Sequence, residues 1–275
     1  MKQVIAKILG GFINVWAFIS AKSAAKMSLK LFSSPRRISI KEKQKDFLET
    51  AFIEDVDFGK HSLKTYRWLG KKETILLAHG WESNSFRWKS LILKLNELDY
   101  NIVALDAPGH GYSSGRRFNA ILYADCIHVI AKKFRANIVI GHSVGGMATA
   151  FFQHKYQMES VTKLILLGAP SNFSGVFHRY VDMMGYSKRV AKAMDQLILK
   201  EFNYLPEHFN AAKFSEVITA EGLIIHDKTD RIIPYSDAED FKAFYKKSKL
   251  ITTEGFGHGL KNVEVDEHII NFING

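Results

Sequence analysis

Cysteine is nearly absent from this chain: Cys126 stands alone among 275 residues. One thiol cannot form an internal disulfide and offers no basis for a Cys-type zinc site. Its neighbours, YADCIHVIAKKF, have the spacing of an amphipathic helix, which suits a small buried residue better than a reactive thiol. The eleven histidines are scattered, with no HExxH and no Cys/His pairing, so neither a metal nor a cofactor is expected. Low-complexity runs and internal repeats are also missing, and apolar residues make up 47%. The chain is globular, long enough for one large α/β domain or two small ones.

Acidic residues are scarce at one end only. Residues 1–45 hold ten Lys/Arg (Lys2, Lys7, Lys22, Lys26, Lys30, Arg36, Arg37, Lys41, Lys43 and Lys45) against Glu42, a net of +9 within a total of +10. The other 230 residues therefore carry +1. With the body nearly neutral and no recognised DNA- or RNA-binding motif, the composition argues against a nucleic-acid partner.

That basic end is also apolar. Residues 3–20 place Ile5, Ile8, Leu9, Phe12, Trp16 and Ile19 at helical spacing, with Gln3, Lys7 and Asn14 opposite. Only fourteen uncharged residues separate Lys7 from Lys22, short of the roughly 20 that a spanning helix needs. Three readings stay open for residues 1–45. The helix and the following AKSAAKMSLKLF dock on the domain through that apolar face; or residues 1–32 lie in the interface of an anionic membrane, apolar face down, lysines toward the headgroups; or the stretch is a secretory signal, for which the small-residue site around Ala21 to Ala24 is weak. The expected location is cytoplasmic, with peripheral membrane contact open and secretion disfavoured.

From Thr50 onward short apolar runs alternate with helical patterns, the signature of an open, largely parallel sheet flanked by helices. Eight strands are expected: TAFIEDVDF and SLKTYRWL as a hairpin at Gly59-Lys60, then TILLAHG, NIVALDA, NIVIGHS, KLILLGAP, GLIIHD and KLITTEGF. Helices are expected near 87–98, 120–134, 144–157, 236–247 and 263–273. Between LLGAP and AEGLIIHD lie almost fifty residues, where a crossover needs about a dozen or somewhat more. This insertion, about 171–216 within a domain of 46–275, reads as two or three helices forming a small cap over the strand ends, where open α/β sheets bind ligands. Its Phe173, Phe177, Met183, Met184 and Met194 fit either an apolar pocket or ordinary packing.

Gly141-His142-Ser143-Val144-Gly145 fits G-x-S-x-G directly after a strand and before a helix. A turn that tight leaves no room for side chains two residues either side of the serine, hence Gly141 and Gly145, and it exposes Ser143 Oγ above the sheet edge beside a helix N-terminus. From about Thr50 to the C-terminus the chain resembles the α/β-hydrolase family, in its serine esterase/lipase-like branch. The family's oxyanion region follows its third strand with a His-Gly pair, matched by His79-Gly80-Trp81. The resemblance implies that the backbone N–H groups of Trp81 and Val144 hold a developing oxyanion, each such donor being worth about 2.7–4 kcal/mol. DAPGHGYSSG resembles the turn after the fourth strand, in which Asp106, Pro108, Gly109 and Gly111 fix loop shape.

In the family an acid and then a histidine follow in chain order. HDKTDRIIP resembles the loop after the seventh strand and selects Asp230; Asp227 stands where that loop usually has glycine and reads as a solvated turn residue. GFGHGL after the last strand supplies His258. His79 and His142 occupy motif positions with structural roles. The resemblance thus implies a serine hydrolase of carboxylic esters: His258 takes the proton of Ser143, Asp230 fixes the imidazole, and water resolves an acyl-enzyme. Serine at the elbow disfavours the branches with an aspartate nucleophile. Thioesterase and carbon–carbon hydrolase activities share this machinery, and a non-catalytic ligand-binding protein of the same fold is the rival from another class.

Overall fold

Consecutive apolar runs such as ILLA and IVAL cannot alternate between core and water, so their strands must be covered on both faces. The computed structural model, which describes residues 2–36 and 40–275 and so leaves Arg37 of the basic arm outside, places them at the centre of an eight-stranded sheet. β1 (Phe52–Phe58) and β2 (His61–Trp68) form the expected hairpin, with Gly59 at φ 56° in its turn. β3 (Thr74–Ala78), β4 (Asn101–Leu105), β5 (Ile138–His142), β6 (Lys163–Leu167), β7 (Glu221–Asp227) and β8 (Ser248–Thr253) complete it in the order β1-β2-β4-β3-β5-β6-β7-β8. β2 runs antiparallel to β1 and β4, and every other pairing is parallel. All of β3, β4 and β5 is buried.

The chain divides into two compact units, Pro35–Ser171 with Ala211–Gly275, and Met1–Ser34 with Asn172–Asn210. The first holds the sheet and the helices α2 (Glu42–Leu48), α3 (Lys89–Glu97), α4 (Ala120–Phe134), α5 (Val144–Tyr156), α8 (Ala211–Phe214), α9 (Ser236–Phe244) and α10 (Val263–Asn274). α2 has no counterpart in the sequence reading: seven residues are too short for a legible period. The second unit holds α1 (Lys2–Ser33), α6 (Phe173–Met184) and α7 (Lys188–Phe202). Asn172 and Ser187 cap the starts of α6 and α7, and left-handed Gly185 ends α6.

α1 departs from the sequence expectation in length and in face. It runs 32 residues, interrupted at Ser20 (φ −152°, ψ 98°), whose Oγ accepts from the N–H of Ser23 and caps the second segment. By length and composition Val4–Ser33 is long and apolar enough to cross a membrane; counting only the interval between two lysines understated it. The helix docks on α6 and α7, yet through its small side: Gly10, Ile13, Ala17, Ala24, Ala25 and Ser28 are buried. Any Cβ on Gly10 would overlap the carbonyl of Met184. Asn14 Nδ2 donates to Gly185 O and Asn14 Oδ1 accepts from Ser187 N, each at 2.8 Å, across the α6–α7 turn. The side expected to dock, with Ile5, Phe12 and Ile19, faces outward. Phe177, Met184 and Met194 are buried in this unit and are accounted for by packing rather than by a pocket.

Candidate active site

Ser143 is a non-glycine residue at φ 54°, ψ −127°, which is strained backbone held in place by its surroundings. Its N–H donates to Leu167 O on β6, and its carbonyl accepts from Gly146 N, both at 2.8 Å. The two motif glycines are sterically required. A Cβ on Gly141 would come 2.5 Å from the carbonyl of Gly145, and one on Gly145 would meet the carbonyls of Ala78 and His79. So β5 turns into α5 with no spare residue, and the first N–H groups of α5, beginning at Val144, lack helical acceptors.

The loop after β3 runs against this turn: a Cβ on Gly80 would lie 2.9 Å from Ser143 Cβ. Trp81 follows, half-exposed, with its ring edge-on to His110 and Phe118, and the chain then turns at Glu82 (φ 47°). His79 and His110 fix the loop. His79 Nδ1 donates to Gly80 O at 2.8 Å while its Nε2 accepts from Ala107 N at 3.0 Å. His110 Nδ1 donates to Pro108 O and its Nε2 accepts from Glu82 N, both at 3.0 Å. Burial lowers His79 to about 4 and His110 to about 3, so both are neutral, as their accepting nitrogens require. Asp106, fully buried, accepts from Ser85 N and Oγ, Tyr112 N and Tyr66 OH, and ties the turn after β4 to the segment before α3.

Three side chains meet above the carboxyl ends of β5, β7 and β8. His258 Nε2 lies 3.0 Å from Ser143 Oγ, and His258 Nδ1 lies 2.7 Å from Asp230 Oδ2. Asp230 Oδ1 accepts from the N–H groups of Ile232 and Ile233 at 2.8 and 3.0 Å. Burial pushes the Asp230 carboxyl up, but hydrogen bonds with His226 and His258 and from those two N–H groups outweigh it and hold it well below the usual carboxylate range. An ionised carboxylate on Nδ1 leaves Nε2 free to accept a proton from the serine hydroxyl. His258 reaches this position from a loop whose Gly255 and Gly257 take φ 90° and 60°.

Several supports of that loop were not anticipated. Asp227, expected in solvent, is fully buried and accepts four hydrogen bonds: Thr229 N (2.9 Å) and Oγ1 (2.5 Å) on one oxygen, Thr253 Oγ1 (2.8 Å) and Phe256 N (2.9 Å) on the other. Desolvation opposes its ionisation, and these bonds overcome that and depress its pKa. A turn bond to Thr229 is written in D-x-T, but the bonds to Thr253 and Phe256 join residues far apart in sequence and leave no local trace. His142 Nε2 donates to the His258 carbonyl at 2.8 Å, and Arg87 donates to Gly259 O at 2.8 Å. His226, also buried, places Nε2 3.0 Å from Ile233 O and 3.5 Å from Asp230 Oδ2. Cys126 is buried on α4, and burial pushes its thiol up. No group of three or more His, Cys, Asp or Glu side chains suited to a metal ion occurs among the described residues.

Residues 70–201, just under half of the chain, match the family model described as serine aminopeptidase, S33. A non-heme haloperoxidase of Rhodococcus erythropolis is 27% identical over 73% of this chain and 91% of its own length. A bifunctional esterase/perhydrolase of Acinetobacter calcoaceticus is 24% identical over 70% of this chain and 87% of its own. Among solved structures, an esterase from a Rhodococcus species superposes with a TM-score of 0.63 at 17% identity, covering 81% of this chain and 98% of that one. The sheet order, the serine turn and these likenesses agree: the chain has the α/β-hydrolase fold.

Proposed function

We propose that the protein is a serine hydrolase of carboxylic esters in which Ser143 is the nucleophile, His258 the general base and acid, and Asp230 the group that orients the imidazole. The single observation that carries this reading is the unbroken relay from Asp230 Oδ2 to His258 Nδ1 at 2.7 Å and from His258 Nε2 to Ser143 Oγ at 3.0 Å. Serine acquires useful nucleophilicity when His258 removes its proton as the C–O bond forms. The carbonyl oxygen, now negative, is received by the N–H groups of Val144 and Trp81, where two backbone donors lower the barrier by several kcal/mol. His258 then protonates the leaving alcohol, and water repeats the attack on the acyl-enzyme. Asp230, ionised over the working range, keeps the imidazole in the tautomer that makes Nε2 the acceptor.

Fold likeness by itself does not choose the acyl substrate. An ester is favoured because the relatives' names include an esterase. The same reading places the enzyme in the cytoplasm, gives it no nucleic-acid partner, and leaves peripheral membrane contact to the basic arm. A fluorophosphonate probe should label wild-type protein at Ser143 and leave Ser143→Ala unlabelled. A panel of p-nitrophenyl esters, acyl thioesters and amino-acid anilides then ranks the substrate classes. Labelling without turnover of any of them would favour a ligand-binding protein of this fold, and turnover of thioesters alone would move the assignment to a thioesterase.

A further inference from the structure

On the side of α1 away from α6 and α7, Val4, Ile8, Phe12, Val15 and Ile19 are each more than half exposed, and Phe18, as exposed, lies at the edge of this strip with its ring under Arg189 of α7. Isolated exposed apolar residues need no explanation, but a contiguous strip of this size on one helix marks an interaction surface. The same helix contains no Asp or Glu, and beyond Ser20 its exposed Lys22, Lys26 and Lys30 stand at i, i+4 spacing. Lys7 adds a fourth exposed cation to the first segment. Apolar bulk beside an acid-free row of cations is complementary to an anionic lipid surface: acyl chains receive the one, and headgroups attract the other.

We propose that this face of α1 is an in-plane docking surface for an anionic bilayer, with the helix lying at the headgroup level rather than crossing. Its length would permit crossing, but its packing argues against it. Asn14 spends both amide atoms on the α6–α7 turn, and Gly10 is pressed on the carbonyl of Met184. A crossing α1 would either break those contacts or draw α7, with its exposed Lys188, Arg189, Lys192 and Lys200, into hydrocarbon. A second copy is disfavoured because pairing the faces would bring two acid-free lysine rows together. The inference rests on this surface and not on the hydrolytic reading, so Ser143→Ala should bind vesicles as the wild type does.

The test uses full-length protein and co-sedimentation with vesicles of phosphatidylglycerol and phosphatidylcholine in equal parts, against phosphatidylcholine alone, at rising salt. Wild type should prefer the anionic vesicles and lose that preference as salt rises. A Phe12→Ser, Val15→Ser, Ile19→Ser variant should lose at least about tenfold in partitioning, with its melting temperature unchanged because those side chains are exposed. Replacing Lys22, Lys26 and Lys30 by Gln should lose about a hundredfold on anionic vesicles, at about fivefold per lysine, and little on neutral ones. Undiminished binding by the serine variant would overturn the proposal. So would wild-type protein that only detergent releases from membranes, or a salt-stable dimer that the serine variant dissolves.

Discussion

At the scale of single residues, the relay makes sharp demands. Ser143→Ala and His258→Ala should each abolish nearly all turnover, and the double variant should lose little more, because groups acting on one proton transfer are strongly non-additive. Losses that multiply in the double variant would mean separate roles. Asp230→Asn should keep the packing and lower kcat by about 10³–10⁴, since an amide on Nδ1 no longer enforces the useful tautomer. Asp227 is expected to act by position alone. Asp227→Ala leaves the buried Thr253 hydroxyl and the half-buried Phe256 N–H without an acceptor, at up to about 1–3 kcal/mol each, and frees the segment leading to His258. It should lower the melting temperature and kcat together with KM little changed; an unaltered kcat in a destabilised protein would reduce Asp227 to a structural anchor. That Ser143, Asp230 and His258 come together could be read from sequence because each sits in a short, ordered pattern. Asp227 was misread because its partners lie 26 and 29 residues away.

At the scale of elements, the strands were legible and the arm was legible only in part. Runs such as TILLA and NIVAL are apolar at consecutive positions, which only a strand covered on both faces explains well, and their glycine-rich exits mark the turns. For α1 the usual assumption, that large apolar side chains point to the partner, inverts the helix: contact is made by Gly10, Ala17, Ala24, Ala25 and Ser28, whose small size lets backbones approach, while the bulky residues remain outside. Small residues carry little hydrophobic signal, so periodicity found the wrong face. The inversion is testable in stability. Asn14→Ala removes two 2.8 Å bonds from the α6–α7 turn and Gly10→Leu cannot fit against Met184, so both should lower the melting temperature of the full-length protein. Phe12→Ser, seven-tenths exposed at the native residue, should not. The opposite pattern would restore the large apolar face as the docked one.

At the scale of the whole molecule, acid stability should be set in large part by three buried histidines outside the proposed relay, His79, His110 and His142, which burial holds below the ordinary imidazole range. His79 and His110 each use Nε2 to accept a backbone N–H, from Ala107 and Glu82, so a proton there would face a donor instead of an acceptor. Desolvation lowers them to about 4 and about 3, against 6.5 for the unfolded chain. Below about pH 6.5 the unfolded chain therefore binds protons that the folded chain refuses, and stability falls by about 1.4 kcal/mol per pH unit for each histidine until its folded pKa is reached. The depressed carboxyls of Asp227 and Asp230 act in the same direction but later, since their contribution is present above the unfolded carboxylate pKa and is lost as pH falls further toward their folded values. The decline should thus begin near pH 6, about two units before carboxylates titrate. Urea unfolding followed by tryptophan fluorescence at steps from pH 7.5 to 4.5 measures it. His110→Gln retains a donor and an acceptor but cannot titrate, so it should be less stable at pH 7.5 yet lose stability with a shallower slope below pH 6. Repulsion among the excess cations rises on acidification in both proteins, so the difference in slope isolates the histidine. Parallel slopes would show that His110 does not resist protonation in the folded protein, and that the loop carrying Trp81 tolerates a charged imidazole.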